Sequence, residues 1–101
     1  MEFKNIVRGL LLSSINASLK DGGKTKIIFP IDDIGKAAGY KDGKSEAARA
    51  EIQRALQKIL SICISYDDGR LRIIEGYSLN ENECQINLSK SIVSLFRFIE
   101  V

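Results

Sequence analysis

Between Ser45 and Leu60 the residues Ala48, Ile52, Ala55, Leu56, Ile59 and Leu60 recur at three- and four-residue steps, which places them on one face of a helix. No other stretch restricts the fold as much, because a stripe of that width must be covered by apolar surface from the rest of the chain. Ser45 stands where an N-cap belongs, and Ala47, Ala48, Ala50 and Ala55 are small enough for neighbours to approach closely. A second stripe of Phe3, Ile6, Val7, Leu10, Leu11, Ile15 and Leu19 supplies part of the cover. It stops at Lys20, Asp21, Gly22 and Gly23, where glycine caps a helix at little cost and lysine suits its C-terminus. Both stripes are read as core.

Between the two stripes, Lys24 to Phe29 is rich in β-branched residues and meets the only proline, Pro30, which predicts a brief strand. Ile31, Ile34, Ala37 and Ala38 then predict a two-turn helix closing at Gly39, followed by a tight polar connection from Tyr40 to Lys44. After the long helix, Ile62 to Tyr66 and Arg70 to Ile74 flank Asp67, Asp68 and Gly69, a strong hairpin signal. Gly76 to Glu83 is read as a polar excursion, and the alternation of Cys84, Gln85, Ile86, Asn87 and Leu88 as a half-buried third strand. Ser89 is expected to cap a last helix over 90–99, whose apolar residues spread around more than one face. Ile92, Leu95, Phe96, Phe98 and Ile99 are therefore expected to meet a second copy of the chain.

The length of 101 residues suits a single domain over 1–101, and 45% apolar with 28% charged residues is ordinary globular usage. A net charge of +2 is a small excess for a phosphate-binding surface. The chain has no histidine, no glycine-rich phosphate loop and no nucleophile elbow. Asp32 and Asp33 open a helix, where the macrodipole favours acids regardless of function, and no third acid completes a site. These features predict no enzyme activity, no metal, no cofactor and no small-molecule ligand. Cys63 and Cys84 are read as reduced, buried thiols, with a disulfide as the minority reading. Without a basic n-region, a cleavage site or an apolar run near about eighteen residues, the expectation is a cytoplasmic protein with no membrane partner.

The predicted order is α-β-α-α-β-β(wing)-β-α, an α+β winged helix-turn-helix in which the Asp67–Gly69 hairpin is the wing. In such a fold, side chains off the apolar stripe near the start of the third helix meet base edges or phosphates. Here these are Lys41, Lys44, Ser45, Arg49 and Gln53, with Arg54 and Lys58 further along and Arg70 and Arg72 on the wing. Asp67 and Asp68 oppose the wing contact, and Lys24 and Lys26 are read as blunting an edge strand. The expected activity is sequence-specific binding of double-stranded DNA by a homodimer. The alternative is a protein-interaction module of the same fold, such as a phage-encoded inhibitor of a host protein.

The helix ending at Leu19, the Ile27-Ile28-Phe29 strand leading into Ile31, Ile34, Ala38, Gly39 and Tyr40, and the long helix with Ala55, Leu56, Ile59 and Leu60 carry a resemblance. So do the Asp67-Asp68-Gly69 hairpin, the strand end at Ile86, Asn87, Leu88 and Ser89, and the short apolar helix through Leu95. Over nearly its whole length the chain resembles the N-terminal winged-helix domain of plasmid replication initiator (Rep) proteins. The resemblance implies binding at repeated origin sequences and dimerisation through the winged-helix region. Those initiators carry a second winged-helix domain that does most of the base reading, and the resemblance does not extend to it. The expectation is therefore a small repressor, partition or accessory protein of a mobile element.

Overall fold

The computed structural model describes residues 2–66 and 69–100. Helix α1 (Phe3–Lys20) is followed by strand β1 (Lys26–Pro30), the short helix α2 (Ile31–Ala37) and the long helix α3 (Glu46–Ser61). Strands β2 (Cys63–Tyr66), β3 (Gly69–Arg72), β4 (Ile74–Leu79) and β5 (Glu83–Leu88) come next, and α4 (Lys90–Glu100) closes an α+β fold. One core joins them. Ile6 and Leu10 of α1, Ile52, Leu56 and Ile59 of α3, Ile27 of β1, Ile86 and Leu88 of β5 and Ile92 of α4 are all buried in it. Each such side chain contributes about 1.5–3 kcal/mol by leaving water.

The helix boundaries follow local chemistry. The Ser45 side chain accepts from the Ala48 backbone N–H at 3.1 Å, capping α3, and Ser89 Oγ accepts from the Ile92 N–H at 3.4 Å, capping α4. At the end of α1, Gly22 and Gly23 take φ of 70° and 85°, and the Gly23 N–H donates to the Ser18 carbonyl at 2.8 Å. Ser14 and Ser18 are buried on the core face of α1, and both hydroxyls donate to backbone carbonyls, of Leu10 and Lys24 respectively.

The strands depart from the predicted order. Ile74–Leu79 is a strand, where a polar excursion was expected over 76–83, and it pairs antiparallel with β5. The sheet runs β1-β5-β4, with Ile27 opposite Ile86 and Tyr77 on the other side of Ile86. The hairpin on either side of 67–68 forms a separate two-stranded sheet, Cys63 opposite Arg72 and Ser65 opposite Arg70, and does not join β1. Two features hid β4. Ile73 and Ile74 are both buried, and neighbours on one strand point to opposite faces, so the chain breaks direction there. A register shift between Ile74 and Gly76 then interrupts the alternation that a reader of the sequence looks for. The aspartates Asp67 and Asp68 lie outside the described residues.

One of the two cysteines also differs from expectation. Cys84 is buried on the core face of β5, and burial pushes its thiol up to about 11. Cys63, expected to be buried, is an exposed free thiol. It alternates onto the same side of the hairpin as Ser65, Arg70 and Arg72, while Leu71 on the other side packs against the core. Among the described residues, no helix is long and apolar enough to cross a membrane.

Candidate functional site

The side chains expected to bind a partner are set by how α2 meets α3. Gly35 of α2 lies directly against Gly43 of the connecting turn, and a Cβ on either glycine would overlap backbone. Asp32 braces the same turn, accepting from the Gly43 N–H at 3.2 Å and pairing with Lys36 at 2.9 Å. The Lys36 ammonium holds the Asp32 carboxyl below its usual range. Lys44 follows, its own N–H donating to Asp42 Oδ1 at 2.9 Å, and Ser45 then caps α3. Ser45 is thus committed to the helix terminus.

Two of the expected DNA contacts have protein partners. Arg49 donates from Nη1 to the Glu81 carbonyl at 3.0 Å and from Nη2 to the Asn80 carbonyl at 2.9 Å. Lys44 Nζ donates to Asn82 Oδ1 at 2.7 Å. Together they clasp the turn between β4 and β5 against the first turns of α3, and the Ile31 N–H ties the same turn to α2 through the Asn82 carbonyl at 2.9 Å. Lys41 is exposed in the turn before α3. Acids surround this end: Asp42, Glu46, Glu81 and Glu83 are all exposed there.

Along the helix the picture changes. The side of α3 turned away from the core carries Ala47, Ala50, Gln53, Arg54, Gln57, Lys58 and Ser61, all exposed and none of them an acid. Glu51, the one carboxylate within that span, is half-buried at the margin and accepts from the Tyr40 hydroxyl. Gln53, Arg54 and Lys58 therefore share an open face, as the sequence suggests. Arg49 stands at the margin of that face, beside the turn it holds. Ala47, Ala50, Gln57 and Ser61 belong to the open face and were missed. The signal was present, since a step of about 100° per residue from the buried Ile52, Ala55 and Ile59 points to them.

Arg70 and Arg72 are exposed on β3, beyond the C-terminal end of α3. That helix is about 24 Å long at 1.5 Å per residue, so it separates them from Lys41 and Lys44. The expected contact residues are thus spread along α3, with Arg54 and Lys58 exposed between its two ends. The segment expected to meet a second copy divides as well. Ile92 is 1% exposed and belongs to the chain's own core, Phe96 packs against that core, and Leu95 is 43% exposed. The side chains of Phe98 and Ile99 lie outside the described residues. Helix α4 lays Ile92, Val93 and Phe96 inward and leaves Leu95 open, among the described residues of that set.

Among the described residues, no group of three or more His, Cys, Asp or Glu side chains is arranged to hold a metal ion. No family model, no curated protein and no solved structure matches this chain.

Proposed function

We propose that the chain is a winged-helix domain that binds double-stranded DNA, with α3 lying in the major groove and no catalytic step. The observation that carries this reading is the acid-free outer face of α3 from Ala47 to Ser61. Gln53 and Gln57 match the donor and acceptor pattern of adenine, Ala47 and Ala50 offer methyl contact to thymine, and Arg54 and Lys58 suit phosphate or guanine. The sheet order β1-β5-β4 supports the same reading, with the β4–β5 turn in the position of a wing. In this arrangement Arg49 and Lys44 are positioning residues, holding the wing against the reading helix. Leu95 marks where a second copy would meet the first in a dimer on a repeated site.

A second reading has its own support. The acids around the start of α3, Asp42, Glu46, Glu81 and Glu83, face the place where phosphate would approach, which favours a protein partner at that end. Fluorescence anisotropy with a generic duplex, titrated at low and near-physiological salt, separates the two. Arg54→Ala and Lys58→Ala should each flatten the log–log salt slope by about 1 if they meet phosphates. Absence of binding at low salt refutes the DNA reading and leaves the protein partner.

A further inference from the structure

A cavity of about 320 Å³ opens between α1, the end of β1 and α2. Its floor is apolar, formed by Ile6, Leu10, Phe29 and Ile34. That volume falls in the range of small-molecule sites, and the walls come from three elements that the core already holds in place. This cleft is formed from residues scattered between positions 5 and 38, so nothing in the linear sequence brings it into view.

Two features of the cleft bear on what it could hold. The first is Gly9, in the interior of α1 and on the cleft wall. Glycine costs a helix interior about 1 kcal/mol relative to alanine. The fold does not require it: Gly9 is not among the residues of positive φ, and a Cβ there would meet nothing within 4 Å. Gly9 is exposed, and the missing side chain leaves open space beside the cleft that it lines. The second is Asp33. Its neighbour Asp32 is engaged by Lys36 and by the Gly43 N–H, whereas Asp33 is exposed at the cleft with no ion pair or side-chain hydrogen bond among the described residues. The residues lining the cleft include this one carboxylate and no cation.

We infer that the α1–α2 cleft binds a small organic cation, an amine with a compact aromatic or aliphatic body. The body fills the apolar floor, and the ammonium meets Asp33 at the rim, where an exposed pair adds selectivity more than affinity. This site is independent of the proposed DNA face on α3, and either can fail without the other.

The test uses phenethylamine and 3-phenylpropionate as probes, followed by two-dimensional ¹⁵N–¹H NMR of the whole chain. The inference expects saturable shifts for the amine centred on Gly9, Ser13 and Ala37, with weaker binding of the carboxylate. Asp33→Asn should weaken the amine about two- to fivefold, the span of an exposed ion pair, and leave the carboxylate no weaker than before. Gly9→Leu should abolish binding of the amine while raising the thermal midpoint, which distinguishes a filled cleft from an unfolded chain. The inference is overturned if the amine shifts do not saturate or centre elsewhere. Equal binding of the two probes, or amine binding that survives Gly9→Leu in a folded protein, overturns it as well.

Discussion

Replacing Gly9 by alanine should stabilise the chain, and the size of the effect follows from the position. Gly9 lies well inside the 18 residues of α1, and an added methyl has nothing within 4 Å to displace. The change therefore keeps every native contact and removes only the excess backbone freedom that glycine has in the unfolded chain. The gain is about 1 kcal/mol on helix-propensity scales. For a domain of this size that corresponds to a rise of about 4–8 °C in Tm. In urea the midpoint should rise by about 0.3–1 M at constant slope. Far-UV circular dichroism is the suitable probe, since the chain has no tryptophan. Gly22→Ala is the paired control: a Cβ there also meets nothing within 4 Å, but φ is 70°. Its methyl should destabilise by about 1–2 kcal/mol, the cost of the left-handed conformation for an L-residue. An unchanged or lower midpoint for Gly9→Ala would refute the reasoning, because α1 would then be irregular at Gly9 or the space beside it already filled.

Three further outcomes are expected. Gly43→Ala should cost at least about 1–3 kcal/mol in urea unfolding, because the new methyl would overlap the Asp32 backbone, which cannot rotate away as a side chain could; a neutral result would mean that α2 and α3 meet differently. The Tyr40 hydroxyl donates to Glu51, and this raises its ionisation above the ordinary 10.0, chiefly through that hydrogen bond. The resulting stabilisation is complete below pH 10.0 and disappears as pH climbs through the raised value, so Tyr40→Phe should flatten the alkaline limb of a stability–pH curve; an identical limb in both proteins would contradict the bond. Under native conditions Ellman's reagent should titrate the exposed Cys63 quickly and reach Cys84, 0% exposed, only after denaturant is added; rapid reaction of both would contradict the burial of β5.

The candidate site was legible along the helix and illegible across it. Gln53, Arg54 and Lys58 follow from counting away from Ile52 and Leu56, because helical spacing is a property of the local backbone. Whether an exposed arginine is free to meet a partner is not a local property. Arg49 has the same local credentials as Arg54, yet its guanidinium is held by carbonyls some thirty residues later, in a turn that the sequence suggested only as part of a polar excursion. The expectation of a dimer face on α4 met the same limit, since which turns of an apolar helix are used by the chain's own core depends on what packs there.

By itself the sequence determined the elements whose signals are local: the stripes of α1 and α3, the caps at Ser45 and Ser89, the hairpin flanking 67–68 and the alternation of β5. Each rests on the 3.6- or two-residue period of the backbone, or on one side chain bonding to a nearby amide. Only the tertiary structure decided that β4 exists past its irregular register, that it and β5 rather than β2 and β3 extend the sheet from β1, and that Lys44 and Arg49 hold a turn. It alone brought Gly9 and Asp33 to one cleft. Those outcomes depend on which surfaces compete successfully for burial against one core, and that competition involves residues far apart along the chain.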